Sequence, residues 1–276
     1  MGRGRNLNTL EDFKRALKGK YGLGIGKGYK PWLRVQDVKS KGNKSIIWGL
    51  KTGREHHMLS SIESQFFYLA EFSDSVIDIR EQYPLLPINL SQKIAASIGI
   101  NHPEIPETRC PIIMTTDFLL TLKPYDNNDV TYQAVAIKPE EGIDKRTAEK
   151  LDIERIWWEL LGIDFKFYTG NEITRAQSKN IKWATSPRRT GFGDFSFNQK
   201  EWVLSTLEAR KYLLKDICSN ISLGLNISPN DALLLVKSLI AEKQIRVDLS
   251  YSIAEIGVLV IQEICPVQRL TANDYR

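Results

Sequence analysis

The chain has 276 residues, 42% hydrophobic and 26% charged, with a formal net charge of +5. This composition fits a soluble globular protein of one large or two smaller domains, and apolar runs such as residues 256–261 fall far short of the ~20 residues a membrane span needs. Cys110, Cys218 and Cys265 are isolated, which argues against a disulfide framework and a cysteine zinc site; with no secretory pattern at the N-terminus, the reducing cytoplasm is the expected compartment.

Positive charge is gathered near the N-terminus. Residues 1–57 carry fourteen Lys/Arg and four acids, a net +10 that leaves −5 for the remainder. Basic side chains neutralise phosphates and fix position without reading sequence, so this segment is an expected nucleic-acid surface. Tyr29 and Trp32, interleaved with lysines, favour a structured surface over a solvated arm. Residues 9–18 read as a short helix introduced by Asn8 or Thr9. Gly22, Gly24, Gly26 and Gly28 match neither the dinucleotide nor the nucleotide-triphosphate fingerprint, and a phosphate-cradling role is discounted. His56, His57 and His102 lack ligand spacing, and the adjacent pair reads as surface or nucleic-acid-proximal groups.

Residues 61–72 form the first long helix of the core. Ser60 and Glu63 have the Ser-x-x-Glu spacing of a capping box, which by itself makes Glu63 a cap. A strand is expected at 76–80, a helical insertion at 91–98 and a proline-punctuated loop at 102–111. The apolar runs 112–122 and 131–139 flank a stretch of turn composition at 124–129 and read as a hairpin. Side chains alternate along strands, so Asp117, Leu119 and Thr121 share one face, and Ala134, Ala136 and Lys138 share one face of the partner. If the two faces coincide, a carboxylate and an ammonium converge. A hard cation takes oxygen ligands, one of which Asp117 can supply, and Lys138 can orient a water or stabilise charge developing on a phosphate. Taken singly, each residue is weak support, because an Asp beside a strand is ordinarily a solvated or capping group and a Lys at a strand end an edge charge.

Residues 144–161 read as an amphipathic helix and 165–168 as a strand closing a βαβ unit, which gives a mixed sheet with flanking helices. Residues 186–193 read as a hinge. Helices at 199–214 and 229–242 and an alternating segment at 245–249 then fit a winged-helix-like module, with Leu233, Leu234, Leu235, Leu239 and Ile240 as core.

Several segments together carry a resemblance. Gly28-Tyr29-Lys30-Pro31-Trp32-Leu33-Arg34-Val35-Gln36-Asp37-Val38, Lys51-Thr52-Gly53-Arg54-Glu55-His56-His57, Leu59-Ser60-Ser61-Ile62-Glu63, Asp78-Ile79-Arg80-Glu81-Gln82-Tyr83-Pro84-Leu85-Leu86-Pro87, Thr116-Asp117-Phe118 and Ile137-Lys138-Pro139 resemble, in order and spacing, the TnsA endonuclease family of heteromeric cut-and-paste transposons over roughly residues 20–185. The resemblance implies an α/β, restriction-endonuclease-like catalytic domain over residues 1–170, including the basic N-terminal region. It implies a smaller, mainly helical, winged-helix-like partner-binding domain over 171–276.

It further implies a Mg²⁺-dependent DNA endonuclease, with Mn²⁺ as substitute, that cuts the 5′ (non-transferred) strands at the ends of a transposon. A TnsB-type transposase would cut and join the 3′ ends, and a TnsC-type ATPase regulator would contact the C-terminal part. Assembly on DNA would associate the protein with the bacterial nucleoid. Glu63, Asp117 and Lys138 match the family's catalytic Glu, Asp and Lys, with Glu63 and Asp117 as metal ligands. The position two residues before the lysine, a Gln or acid in the family, is here Ala136. Its backbone carbonyl is the expected substitute ligand, with Glu154 on the following helix lending a carboxylate from the side. Gln133 alternates to the opposite strand face. Ala136 also keeps alive a second expectation, a catalytically weak DNA-binding adaptor that bridges transposase and regulator.

Overall fold

Thr9 opens helix α1 (Leu10–Lys18) with a reciprocal capping box to Asp12, and the helix buries Phe13 and Ala16 against Trp32, Ile105, Cys110 and Ile113. The computed structural model describes residues 4–38, 42–123, 129–139 and 143–266. By contact density the chain divides into two compact units, residues 1–170 and 171–276.

The basic N-terminal segment is folded onto the first unit through its aromatics. Tyr29 is 3% and Trp32 2% exposed, which corrects their expected role as a nucleic-acid platform. Trp32 meets Phe13 edge-on at 5.9 Å, and the Tyr29 hydroxyl donates to the Glu81 carbonyl at 2.9 Å. Apolar burial is worth more here than display, and the buried hydroxyl is paired. The glycines before them are structural: Gly22 has φ +76°, and a Cβ there would lie 2.4 Å from Pro84 Cγ. Several cations are engaged internally. Arg5 and Arg34 both bond Asp37, whose carboxyl is buried, yet held well below the usual range by those guanidinium bonds. Lys18, Lys20, Lys27 and Lys30 remain exposed.

A hairpin not anticipated from the sequence follows, β1 (Ser45–Trp48) antiparallel to β2 (Glu55–Met58). Then come α2 (Ser61–Phe72), β3 (Val76–Pro84), α3 (Ile88–Ser97), β4 (Thr115–Leu122), β5 (Thr131–Ile137), α4 (Lys145–Leu160) and β6 (Asp164–Tyr168). The four longer strands form one mixed sheet in the order β3-β4-β5-β6. β3/β4 and β4/β5 are antiparallel and β5/β6 parallel, as a hairpin and a βαβ crossover require. Of the turn expected at 124–129, residues 124–128 lie outside the described residues. Leu119 and Ala134, paired in register, enter a core with Ile94, Ile153, Trp157 and Trp158 of α3 and α4. Phe66 of α2 packs on Phe118 and Tyr168, each at 5.0 Å. Helices of both kinds therefore cover the sheet, and the polar residues at its strand ends fall between them.

The second unit begins with α5 (Glu172–Arg189). Residues 186–189 are helix, not hinge. Pro187 stands in the last turn, where the carbonyl it cannot bond, that of Trp183, instead accepts the Ser186 hydroxyl at 2.8 Å. The helix expected over 199–214 is interrupted: α6 (Phe197–Thr206) ends, β7 (Lys211–Leu213) pairs into a sheet, and α7 (Leu214–Leu225) was not foreseen. α8 (Pro229–Ala241), β8 (Ile245–Val247), α9 (Ile253–Ile256) and β9 (Val258–Ile264) complete the unit. Its antiparallel sheet has the order β7-β9-β8. Leu235, Leu239 and Ile240 are buried as expected, with Ile217, Ile221, Ile253 and Leu259, whereas Leu233 and Leu234 are only half-buried. Among the described residues, no helix is long and apolar enough to cross a membrane.

Candidate active site

The cap of α2 builds the first corner. Ser60 Oγ accepts from the Glu63 N–H at 3.2 Å and donates to Glu63 Oε1 at 2.8 Å, while Leu59 N–H donates to Oε2 at 2.9 Å. The capping geometry thus fixes the Glu63 carboxylate instead of competing with a site role. Burial first, and the Asp117 charge second, push the Glu63 carboxyl up to about 7.

Asp117 lies on β4 where the sheet opens. Its Oδ2 accepts from the Ile137 N–H at 2.7 Å and from Lys138 Nζ at 3.2 Å. Lys138, one residue beyond β5, also donates to the Ile137 carbonyl at 2.9 Å. Burial pulls the Lys138 ammonium down, but Asp117, Glu154 and Glu63 together raise it above its ordinary value. It is therefore a fixed positive charge at neutral pH. The structure brings Glu63, Asp117 and Lys138 together.

It corrects the expectation for the backbone ligand. Along a strand the N–H and C=O of one residue point to the same side, and neighbours alternate. Ile137 turns its N–H to Asp117 and Lys138 turns its own to the Tyr168 carbonyl of β6 at 3.1 Å, so the Ala136 carbonyl is directed toward β6. The Ile137 carbonyl is the one beside Lys138 and Asp117.

Glu154 on α4 is buried, and burial, then the Asp117 charge, push its carboxyl up to about 8. It is an acid that stays protonated at neutral pH, bonded to the Thr116 hydroxyl, which itself accepts from Trp158 Nε1 at 2.6 Å. Its Oε1 has no partner. Among the described residues, no group of three or more His, Cys, Asp and Glu side chains is arranged as a metal site.

The residue between the two acids was not singled out from the sequence. Gln82 Nε2 stands 3.4 Å from Glu63 Oε2 and 3.4 Å from Asp117 Oδ1, and its Oε1 accepts from Thr115 Oγ1 at 3.1 Å. Gln82 is 2% exposed with φ +49°, a conformation that costs a non-glycine residue about 1–3 kcal/mol and persists only where the surroundings impose it. They do so here. The Gln82 carbonyl accepts from the Trp32 N–H at 3.2 Å. Next to it Glu81 is fully buried, clamped by Arg54 at 2.7 and 2.8 Å, His56 at 2.8 Å and the His57 N–H at 3.1 Å. Thr52 bonds the far nitrogen of His56 at 2.6 Å. His56 is therefore a buried structural group, against the surface role expected of it. The available signal was a run of Arg, Glu and Gln inside a strand, where buried polar residues must be paired.

Metal chemistry suits part of this donor set. Two carboxylates, one pushed up by burial and then by its neighbour's charge, and an adjacent backbone carbonyl are hard oxygen donors of the type Mg²⁺ and Mn²⁺ take. A cation would relieve the repulsion between Glu63 and Asp117.

Comparison with known proteins places two segments of the chain in one family. Residues 73–170 match the family model "TnsA-like endonuclease N terminal" and residues 172–249 match "TnsA endonuclease C terminal". Gln82, Asp117, Lys138 and Glu154 fall in the first segment, and Glu63 lies ahead of it. The Escherichia coli protein "Transposon Tn7 transposition protein TnsA" is 42% identical over 175 residues, which cover 62% of this chain and 61% of that protein's length. With both halves of one family's architecture matched in consecutive order, the chain belongs to the TnsA endonuclease family.

Proposed function

We propose that the protein is a divalent-metal-dependent DNA endonuclease of cut-and-paste transposition. It hydrolyses the 5′ (non-transferred) strands at transposon ends, working with a TnsB-type transposase and a TnsC-type ATPase regulator. The observation that carries this is the meeting of Glu63, Asp117 and the Lys138 ammonium, with Lys138 Nζ 3.2 Å from Asp117 Oδ2.

Glu63 and Asp117 would hold Mg²⁺ or Mn²⁺, with the Ile137 carbonyl beside them. The bound ion supplies a Lewis acid for the phosphate and lowers the pKa of its water. Asp117 fixes Lys138, and the ammonium, charged throughout the neutral range, orients the attacking water and stabilises the charge that builds on the phosphate oxygens. The Glu63 carboxyl has to give up its proton to bind a cation. Exposed lysines of the N-terminal segment, Lys18, Lys20, Lys27 and Lys30, would meet the DNA backbone without reading sequence.

The second unit would serve as the partner-binding module. Its succession of α6, β7, α7, α8, β8 and β9, with sheet order β7-β9-β8, supports a winged-helix-like arrangement. Burial of Leu235, Leu239 and Ile240 leaves α8 mainly a core helix, which favours protein contact over base reading.

Reconstituted excision of a transposon-end substrate tests the proposal, comparing wild type with Asp117→Ala and Lys138→Ala in assembled complexes. Loss of 5′ cutting with assembly intact supports the enzyme. Equal cutting in all three overturns it and leaves the catalytically weak adaptor, the alternative that Ala136 keeps alive.

A further inference from the structure

Two carboxylates leave a hexacoordinate cation open positions for further oxygen ligands, and Ala136 offers no side-chain oxygen. Gln82 occupies the gap between them. We propose that Gln82 is itself a cation ligand, its side-chain amide turning over when a divalent ion binds so that Oε1 replaces Nε2 between Glu63 and Asp117. The inference rests on the nuclease reading above and adds a ligand to that site.

The argument is one of matching donors and acceptors. Without a cation, two neighbouring carboxylates need a hydrogen-bond donor between them, and Gln82 Nε2 lies 3.4 Å from an oxygen of each. With a cation between them they need none, and an N–H facing the ion is repelled. A half-turn about Cγ–Cδ exchanges the two ends of a planar amide at almost no change in shape. The opposite end is equipped for either state. Thr115 Oγ1, now donating to Gln82 Oε1 at 3.1 Å, is a hydroxyl and can accept from Nε2 after the turn.

The position is built for this purpose. Gln82 is 2% exposed, so its amide exchanges partners with the site and not with bulk water. Its left-handed backbone at φ +49° is pinned by Trp32 N–H on its own carbonyl and by the Arg54–Glu81–His56 cluster one residue earlier. The backbone is rigid while the amide keeps one free torsion.

Titration of the full-length protein with Mn²⁺ by calorimetry separates the possibilities by sign. Gln82→Met keeps the length and removes the amide. If Gln82 ligates, affinity falls about tenfold, and Gln82→Glu tightens it several-fold. If Gln82 only donates to the carboxylates, its N–H competes with the ion, and Gln82→Met binds Mn²⁺ equally or more tightly, which overturns the inference. Wild-type protein labelled with [¹⁵N]glutamine avoids any folding defect: the side-chain NH₂ pair missing from the Gln82→Glu spectrum shifts on Mg²⁺ addition, and an unmoved pair in protein that binds the ion overturns the turn-over. Asp117→Asn isolates the parent reading. Mn²⁺ binding that is absent from wild type, or unweakened by Asp117→Asn, sinks the nuclease site; binding that needs Asp117 but is not weakened by Gln82→Met sinks only the role of Gln82.

Discussion

Two clusters of acids meet β3 at adjacent residues, Glu81 and Gln82, and solve the same electrostatic problem in opposite ways. Glu81 is fully buried and fully paired, with Arg54, His56 and a backbone N–H around it; although burial works to raise its pKa, those partners hold the carboxyl well below its ordinary range. The Gln82 side is underpaired. Glu63 and Glu154 are pushed up by burial and by Asp117, one cation, Lys138, serves the acids around it, and Glu154 keeps an oxygen without a partner. Complete pairing marks a group that holds the fold, and incomplete pairing marks one left ready for an ion or substrate.

The largest effect should come from breaking the underpaired side. Asp117→Ala removes the acceptor of Ile137 N–H and Lys138 Nζ and a proposed cation ligand at once, and strand cleavage should fall by a factor on the order of 10³ or more. Unfolding midpoints should change little, because the site contributes repulsion as well as bonds. Gel assays of 5′ cutting beside urea melts of the same preparation check both halves of this statement.

Glu81→Gln breaks the other side with the pattern reversed. It strands the Arg54 guanidinium, 7% exposed, without its counter-charge, and breaking one member of a buried pair costs roughly 3–5 kcal/mol. The midpoint should drop sharply. Cleavage measured well below that midpoint should also fall, because the left-handed backbone at Gln82 loses its neighbour's clamp. A variant as stable as wild type would show that the cluster is not what holds β3.

The contrast also explains what the sequence revealed. Asp117, Lys138 and the hairpin between them were legible from alternation and turn composition, because strand period and chemistry coincide there. From residue pattern alone Glu63 was legible as a cap, and only the family resemblance marked it for a site; the capping bonds are the ones that hold its carboxylate toward Asp117. Gln82 was not legible, since its importance lies in a positive φ and in partners from α2 and β4 that local pattern does not encode. Trp32, Tyr29 and His56 misled for a related reason: aromatic and imidazole groups among lysines and arginines read as surface, but the segment folds inward and buries them. In the second unit, α8 was readable from its capped apolar run, whereas the break at residues 207–210 and the pairing of β7 depend on β9, some fifty residues away.

Titration sharpens the same comparison at a smaller scale. Glu154 has a folded pKa near 8 against an unfolded value near 4.5, so between those values the native state binds more protons than the unfolded one. Stability from this group is fully present below about pH 4.5 and is lost as pH rises through about 8, by a few kcal/mol. Metal-free wild type should therefore lose more stability between pH 5 and pH 8.5 than Glu154→Gln does. Parallel urea curves at the two pH values would contradict the buried-acid assignment.

The smallest expected effect probes the link between the two clusters. Tyr29→Phe removes one hydroxyl, whose bond to the Glu81 carbonyl is 2.9 Å, and keeps the ring stacked on Tyr83 at 6.4 Å and under the Arg54 guanidinium at 5.0 Å. A single buried neutral hydrogen bond is worth about 1 kcal/mol. If the tyrosine only packs, the midpoint shifts by that amount and cleavage is untouched. If it also sets the backbone before Gln82, Mn²⁺ affinity falls with it while the Asp117 dependence of binding persists. Calorimetry on this one variant therefore decides whether the paired cluster merely adjoins the underpaired one or positions it.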